Sequence, residues 1–380
     1  MTEPRVVSIV PYKILPARLG GEKGIAVFNE YVGERVPLLA ISTKNNDVSA
    51  TKNYKMLNWL SNSRVRYVNI FLVLTIRKLI KQHNATHFLI EHPYYGWLAW
   101  LVKKSTNITW VVHSHNIEFE RSKSIGRWWW KGLKLYEQWV YKQSDINFFI
   151  SEDDRSFAIE ELEINSAKSF AITYGVEIAG IPADIPQARK IIAEKHDIRS
   201  DEKILLFNGA LYHHTNYEAL QVILDKINPV LLAQAIPYKI LVCGKGLPAF
   251  FNELKPYKDK NIIYAGFVDD ISIYFKATDI FLNPILSGGG VKTKAIEAIA
   301  YNCTVISSTI GALGLVRSVC RDKLHIVADE DWATFAELVK KAMIVNSDTA
   351  TAFYDYYYWG NIAVKVDTIL TNKKGRSVDA

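Results

Sequence analysis

Residues 286–298 read LSGGGVKTKAIEA: a serine, three consecutive glycines and two lysines ahead of a helix-like run. Ser287, Gly288, Gly289 and Gly290 follow the strand-like DIFLNPI, so they fall at the carboxyl edge of a sheet, just before a helix begins. Free backbone N–H groups at a helix start carry partial positive charge, and glycine lets a phosphate approach without a Cβ in the way. Lys292 and Lys294 occupy the first turn, where the helix dipole alone disfavours cations; an anion lying there would neutralise them. Glu297, one turn further in, is placed to accept from sugar hydroxyls. A plain glycine-rich turn with solvated lysines is the alternative, and it stays open at this point.

A second group ends a strand in the first half, VVHSHNIEFER, with His113, His115, Asn116, Glu118 and Arg121. Histidines at i and i+2 of an extended segment point to opposite sides, so only one is expected to face a site and the two are not expected to share a metal. A histidine bracketed by Asn and Glu at a strand end suits hydrogen bonding or acid–base work. YHHTN at 212–216 carries a similar ambiguity. LGGEKG at 19–24 follows the first strand and predicts a flexible loop through Gly20, Gly21 and Gly24, able to approach a ligand or serving as an ordinary turn. The first strand is followed by no G-x-G-x-x-G, which speaks against a nicotinamide site. Ser-His-Asp order, H-E-x-x-H and a D-x-D pair are missing as well.

The elements that would position these residues alternate between short β-branched runs and longer stretches of helical period, the pattern of parallel sheets wrapped by helices. In the first half the strands are VVSIVPY, VPLLAIST, HFLIEH, ITWVVHSH, INFFIS and SFAITYG, with helices near 22–32, 64–83, 94–104, 124–143 and 152–163. Around 178–200 the composition turns to Pro, Ala and charge, which predicts a domain boundary. The second half repeats the alternation with ILLFNG, KILVCG, IIYAG, IFLNPI, TVISST and LHIVA, and helices near 215–227, 248–254, 270–276, 290–301 and 331–346. The expected fold is thus α/β with two Rossmann-like doubly wound domains, 1–180 and 181–350, facing across a cleft that holds the chemistry. The segment 351–380 is too apolar for a free tail and is expected to pack back on the first domain.

With 380 residues, 49% hydrophobic and 22% charged, the chain is that of a folded soluble protein with a core in each half. A net charge of +7 favours anionic partners. Cys243, Cys303 and Cys320 have no paired spacing, which implies neither a disulfide framework nor a zinc site and suits a reducing cytosol. The N-terminus reads as a first strand rather than a signal, and VNIFLVLTI at 68–76 is far short of the about 20 residues a spanning helix needs. Residues 121–143 mix Trp128, Trp129, Trp130 and Trp139 with Arg127, Lys131 and Lys134, which suits a peripheral membrane contact or a core-packed helix with a wet basic face. The basic helix at 64–83 adds to the membrane reading.

LLFNGALYHHTNYEAL, LVCGKG and IIYAGFVDDISIYFKATDIFLNPILSGGGVKTKAIEAIAYNCTVISSTIGALGL run in an order and spacing that resemble the GT-B glycosyltransferases of family 4, glycosyl transferases group 1. The resemblance implies that Glu297, the second glutamate of an E-x7-E motif, holds the donor ribose. Eight positions earlier stands Gly289 where the first glutamate contacts the donor sugar, as in a glycine-rich subset of the family, which moves the sugar contact onto amides of Gly288 to Val291. The family's diphosphate-gripping Arg and Lys have no counterpart in Ala210 to Asn216, so Lys292 or Lys294, with Lys245, would supply that charge. By the same resemblance Phe267 and Val268 clasp the nucleobase, and Gly20, Gly21, Gly209 and Gly244 lie on the donor side. His115 lies beside the reacting sugar, and Asn116 and Glu118 face the acceptor.

The implied enzyme is a retaining hexosyltransferase type that needs neither cofactor nor metal. It would move a sugar from a nucleotide diphosphate sugar to a glycan, polysaccharide or lipid-linked acceptor, in the cytoplasm or on the inner face of its membrane. Nucleic acid is not an expected partner. A catalytically silent GT-B partner subunit and a GT-B nucleotide-sugar epimerase are the alternatives.

Overall fold

The computed structural model describes residues 3–17, 20–233 and 236–372. The chain divides into two compact units, one of residues 1–177 with 359–380 and one of residues 178–358. Each is built on a parallel sheet. The last eight residues of the 351–380 segment, and Leu19 of the LGGEKG stretch, lie outside the described residues.

In the first unit, strands β1 (Val6–Ile9), β2 (Leu38–Thr43), β3 (Lys55–Leu60), β4 (His87–Glu91), β5 (Thr109–Ser114), β6 (Ile146–Phe149) and β7 (Ser169–Ala171) form a sheet in the order β3-β2-β1-β4-β5-β6-β7. All pairings are parallel. β1, β2 and β4 are buried along their whole length, as strands covered on both faces must be. Helices α1 (Gly20–Gly33), α2 (Leu72–Gln82), α3 (Gly96–Ser105), α4 (Glu118–Ser124), α5 (Trp130–Gln143) and α6 (Glu152–Glu161) connect them.

Residues from α2, α3 and α5 pack with Val7, Ile9, Phe88, Ile90, Trp110 and Val112 on one face in a single apolar core.

In the second unit, helix α7 (Ile185–Lys195) leads into β8 (Lys203–Asn208), followed by α8 (His214–Val222), α9 (Asn228–Leu232), β9 (Tyr238–Cys243), β10 (Ile262–Gly266), α10 (Ile271–Ala277), β11 (Ile280–Asn283), α11 (Thr293–Ala300), β12 (Thr304–Ser308), α12 (Arg317–Cys320), β13 (Leu324–Val327), α13 (Trp332–Ile344) and α14 (Thr351–Tyr357). Its sheet order is β10-β9-β8-β11-β12-β13. The final helix, α15 (Trp359–Thr371), belongs to the first unit and packs on α1. Trp359 anchors it: its N–H donates to Val176 O at 2.9 Å and its ring meets Phe28 and Tyr174.

Several elements depart from the sequence expectation. β3, KMLNWL, is an additional edge strand whose exposed Lys55 and Trp59 hide the usual apolar run. The helix expected at 124–143 is two helices, because Gly126 takes φ +71° and residues 125–129 leave the helical path. The helix expected at 64–83 is a 3-10 turn, Arg64–Val68, and then α2. The charged stretch read only as a boundary contains α7, fixed by an ion pair of Arg189 to Asp279 at 2.8 Å.

In an open sheet, ligands bind beyond the carboxyl ends of the strands where the strand order reverses. Those points lie between β1 and β4 in the first unit and between β8 and β11 in the second. Gly209 follows β8 and the glycine step follows β11, whereas His115 follows β5, Gly244 follows β9 and Phe267 follows β10.

Candidate active site

In the second unit, β8 ends in Asn208 and Gly209, and β9 runs into Gly244. The two glycines touch backbone to backbone: a Cβ built on Gly244, whose φ is +151°, would lie 1.8 Å from Gly209 O. Gly209 itself leaves room for the Lys294 ammonium, which donates to Asn208 O at 2.9 Å and Asn216 Oδ1 at 3.2 Å. Lys292 caps α11 and its ammonium donates to Gly288 O at 2.5 Å. Both lysines are half-buried, and burial pulls each ammonium down to about 8; Glu297 partly restores Lys294, whose charge Lys292 opposes.

The glycine step resolves into different roles. Gly288 and Gly290 take φ of +89° and +75°, which only glycine adopts without strain. Gly289 has ordinary backbone, and a Cβ at that position would meet nothing within 4 Å. Position 289 thus has space for a side chain. Ser287 Oγ donates to Thr215 Oγ1 at 3.3 Å, tying the step to the start of α8. Val291 is held from the other side by Gly314, whose Cβ would lie 2.6 Å from Val291 Cγ2. Phe267 is 66% exposed beside Val268, directly after Gly266, which accepts from Gly244 N–H at 2.7 Å. Lys245 is exposed and its carbonyl accepts from Leu211 N–H. Asn208 and Gly314 were not among the sequence candidates, and Thr215 and Asn216 were noted only as part of the ambiguous YHHTN stretch.

In the first unit, His115 is 7% exposed and its Nε2 lies 2.6 Å from Glu91 Oε2. His113 reaches the same oxygen, with Nδ1 3.0 Å away but off the hydrogen-bond line. The expectation that the two rings point to opposite sides is therefore wrong. β5 ends at Ser114, so the strand's alternation stops before His115, and the rings lie 4.2 Å apart. Glu91, His113 and His115 offer ligand-type atoms within 4.8 Å of one another. Burial opposes ionisation of Glu91, but His113 and His115 outweigh it and hold the carboxyl well below its ordinary value. Burial lowers the His113 pKa more than Glu91 raises it.

His92 continues the array. Its ring sits 4.8 Å from that of His115 and stacks on Tyr94 at 5.2 Å and 10°. Its Nε2 lies 2.8 Å from Tyr12 Oη, and its Nδ1 lies 3.2 Å from Glu118 Oε1. His92 holds φ +66° and ψ +158°, glycine territory that costs a side-chain-bearing residue about 1–3 kcal/mol. Glu118 is 4% exposed; burial raises its pKa, but His92, Tyr94 and Arg121 outweigh burial and the net shift is downward.

Behind it, fully buried Glu137 accepts the N–H groups of Glu118 and Phe119 at 3.0 and 2.6 Å and so fixes the start of α4. Asn116 contributes its carbonyl, which accepts from Ser114 Oγ at 2.8 Å. Glu91, His92, Tyr12, Tyr94 and Glu137 were missed; HFLIEHP and IVPY looked like ordinary strand ends.

Gly20, Gly21 and Gly24 form no loop: they are the first turns of α1, and a Cβ built on Gly24 would lie 3.4 Å from the Tyr174 ring. Leu15 and Ile14, held by Asn46 Oδ1, make the bend before it instead.

Two family models match in chain order, glycosyltransferase family 4 over residues 47–179 and glycosyl transferases group 1 over residues 202–343. An uncharacterized 44.6 kDa protein in the cps region of Klebsiella pneumoniae is 27% identical over 140 residues, 35% of this chain and 36% of that relative's length. The D-inositol 3-phosphate glycosyltransferase of Corynebacterium urealyticum is 20% identical over 74% of this chain and 71% of its own. Among solved structures, a glycosyltransferase from Rickettsia africae superposes with TM-score 0.73 at 16% identity, covering 99% of this chain and all of its own. Anabaena HepE, in complex with UDP and glucose, superposes with TM-score 0.68 at 11% identity over 97% of this chain and all of its own. These likenesses show the fold, and the family models identify the enzyme type. The chain belongs to the family 4, group 1 glycosyltransferases of the GT-B fold.

Proposed function

We propose that the second unit binds a nucleotide diphosphate sugar and that the enzyme transfers its sugar, with retention and without a metal ion, to a glycan, polysaccharide or lipid-linked acceptor held by the first unit. The observation that carries this reading is the lysine pair beside the glycine step. Lys292 and Lys294 are half-buried cations whose charge burial disfavours, and a diphosphate would restore it. As the bond from the anomeric carbon to the diphosphate breaks, negative charge grows on the leaving oxygen. The ammonium groups at the start of α11 are placed to stabilise it. The UDP held by HepE supports a uridine donor class.

Retention places the acceptor on the face from which the diphosphate departs, so no protein nucleophile is needed. Glu297, on α11 one turn beyond Lys294, is assigned to the donor ribose, and Phe267 with Val268 to the base. The amides of Gly288 to Val291 are assigned to the sugar. A peripheral membrane contact through 121–143 would present a lipid-linked acceptor. Among the described residues no helix is long and apolar enough to cross a membrane.

The test is a panel of nucleotide sugars with and without lipid-linked acceptors, following nucleotide release and product anomer, in chelator and in added divalent metal. Release with a retained anomer, unaffected by chelator and abolished by the double substitution Lys292→Ala, Lys294→Ala, is expected. Full transfer by that double variant would remove the diphosphate assignment. Donor binding without release would favour a silent partner subunit, and an epimerised free nucleotide sugar would favour an epimerase.

A further inference from the structure

The structure assigns a divalent transition-metal site, of the kind that zinc occupies, to the carboxyl ends of β4 and β5, with Glu91, His113 and His115 as its ligands. The site lies wholly within the first unit and is independent of the transfer reading, whose donor chemistry calls for no metal.

The register of the sheet builds it. β4 and β5 pair in parallel with Glu91 opposite His113, so the two side chains leave the same face. Phe88, Ile90, Trp110 and Val112 fill the core on the other face, and alternation turns Glu91 and His113 toward α1, where the Phe28 ring meets that of His113 at 4.5 Å. His115 stands one residue beyond the end of β5, and its Nε2 comes back to the same carboxylate. Two imidazole nitrogens thus converge on one oxygen, Glu91 Oε2, at 2.6 and 3.0 Å. Among the described residues this is the one group of three His, Cys, Asp or Glu whose ligand atoms gather in this way.

Hydrogen bonding within the triad leaves polar atoms over, which is the second observation. His113 Nδ1 and Glu91 Oε1 are buried without a hydrogen-bond partner, in residues that are 3% and 0% exposed. Buried polar groups are rarely left so. A cation among the three ligands takes the lone pair of Nδ1, and a carboxylate that binds through both oxygens also engages Oε1.

The donor set selects the class of ion. Two imidazoles and one carboxylate suit zinc and its neighbours such as cobalt, whereas magnesium and calcium take oxygen ligands and copper(I) takes sulfur. Zinc bonds of about 2.0–2.2 Å put ligand atoms about 3.3 Å apart around a tetrahedral ion, so the rings need retreat by less than about 1 Å. Three protein ligands leave a fourth position for a water. All three ligands are buried, so the ion would clamp β4, β5 and the turn that leads into α4.

The test uses the full chain, expressed with added zinc, then stripped by prolonged dialysis against a strong chelator and retitrated with Zn²⁺ or Co²⁺ alone. Elemental analysis is expected to find about one Zn²⁺ per chain before stripping, and Co²⁺ to give the visible bands of a four- or five-coordinate ion. The melting temperature is expected to rise by about 5–10 °C at free Zn²⁺ about 100-fold above its Kd. Glu91→Gln keeps the shape of the side chain without its charge. Glu91→Gln and His113→Gln are each expected to lower Zn²⁺ affinity at least about tenfold and to remove the Co²⁺ bands. The double substitution His213→Ala, His214→Ala controls for surface zinc, since exposed His214 lies 3.6 Å from Glu218, and is expected to change neither readout. A folded wild type that takes up neither metal overturns the site, as does zinc binding that survives Glu91→Gln and vanishes in the surface double variant. If a ligand variant fails to fold, the wild-type spectrum decides alone: the weak bands of an octahedral, water-ligated Co²⁺ overturn the site. Transfer activity enters none of these readouts, so their failure leaves the donor assignment standing.

Discussion

The ammonium of Lys294 stands in the space that a side chain on Gly209 would fill: a Cβ there would lie 2.6 Å from Lys294 Nζ and 2.8 Å from Asn216 Cγ. Both obstacles are side-chain ends, so Gly209→Ala can be accommodated by displacing them rather than the backbone. The expected outcome is a protein that melts close to wild type but binds UDP at least about tenfold more weakly, since Lys294 loses its seat on Asn208 O and Asn216 Oδ1. Calorimetry and a melting curve on the same sample check it. Unchanged UDP affinity would mean that Lys294 does not meet the diphosphate.

The same lysines set a pH dependence. Their ordinary pKa of 10.5 falls to about 8 in the folded protein, so between these values the unfolded chain binds more protons and stability without ligand rises with pH. A bound diphosphate reverses the preference and draws protons back on. Donor affinity is therefore expected to fall above about pH 8, with proton uptake on binding, seen as a buffer-dependent heat in calorimetry near pH 8.5. A flat affinity from pH 7 to 9.5 would contradict the assignment.

What was legible in the sequence was whatever a local pattern encodes. The buried strands showed as β-branched runs, and the LSGGGVKTK step showed both its place after β11 and its lysines. Side chains that meet only through the sheet did not show. Glu91 and His115 are 24 residues apart and become neighbours because β4 and β5 pair in register, Glu91 opposite His113. Tyr12 and His92, 80 apart, meet because β1 and β4 are adjacent at the reversal of strand order. Alternation also misled at His115, where the strand had already ended, and a lone Gly126 hid the break between α4 and α5.

Glu137 holds the start of α4, and with it Glu118, in place from within the core. It is fully buried, takes the N–H groups of Glu118 and Phe119, and accepts the Tyr141 hydroxyl at 3.2 Å. Burial raises its pKa from 4.5 to about 8, against those hydrogen bonds. For an acid raised in the folded state the native form binds more protons across this window, so its contribution is full below about pH 4.5 and declines up to about pH 8. Glu137→Ala strands two buried N–H donors and is expected to cost about 2–4 kcal/mol in denaturant unfolding, to flatten that pH slope and to lower transfer by releasing Glu118. A variant with wild-type stability and rate would show that α4 is held otherwise.

The break between α4 and α5 exposes what a continuous helix would have spread around its surface. Trp128 is 89% exposed, Trp129 43%, Ile125 62% and Leu135 68%, with Lys123, Arg127, Lys131 and Lys134 in the same segment. Trp130 and Trp139 instead pack against the core, as the core-packed reading expects of them, and the exposed rings are the part on which a membrane contact can be tested. Exposed indoles among cations suit the headgroup region of an anionic bilayer. The Trp128→Ala, Trp129→Ala variant is expected to melt only slightly below wild type, because Trp128 is almost wholly in solvent and Trp129 is partly so. Its partition onto vesicles of anionic lipid is expected to drop at least about tenfold, from the apolar area of two indoles. Binding by the wild type should weaken with salt, through the charge component, while the loss on removing the tryptophans persists at high salt. Sedimentation with vesicles of neutral and anionic composition separates the two contributions; a wild type that stays in the supernatant with both would leave the exposed indoles without a membrane role.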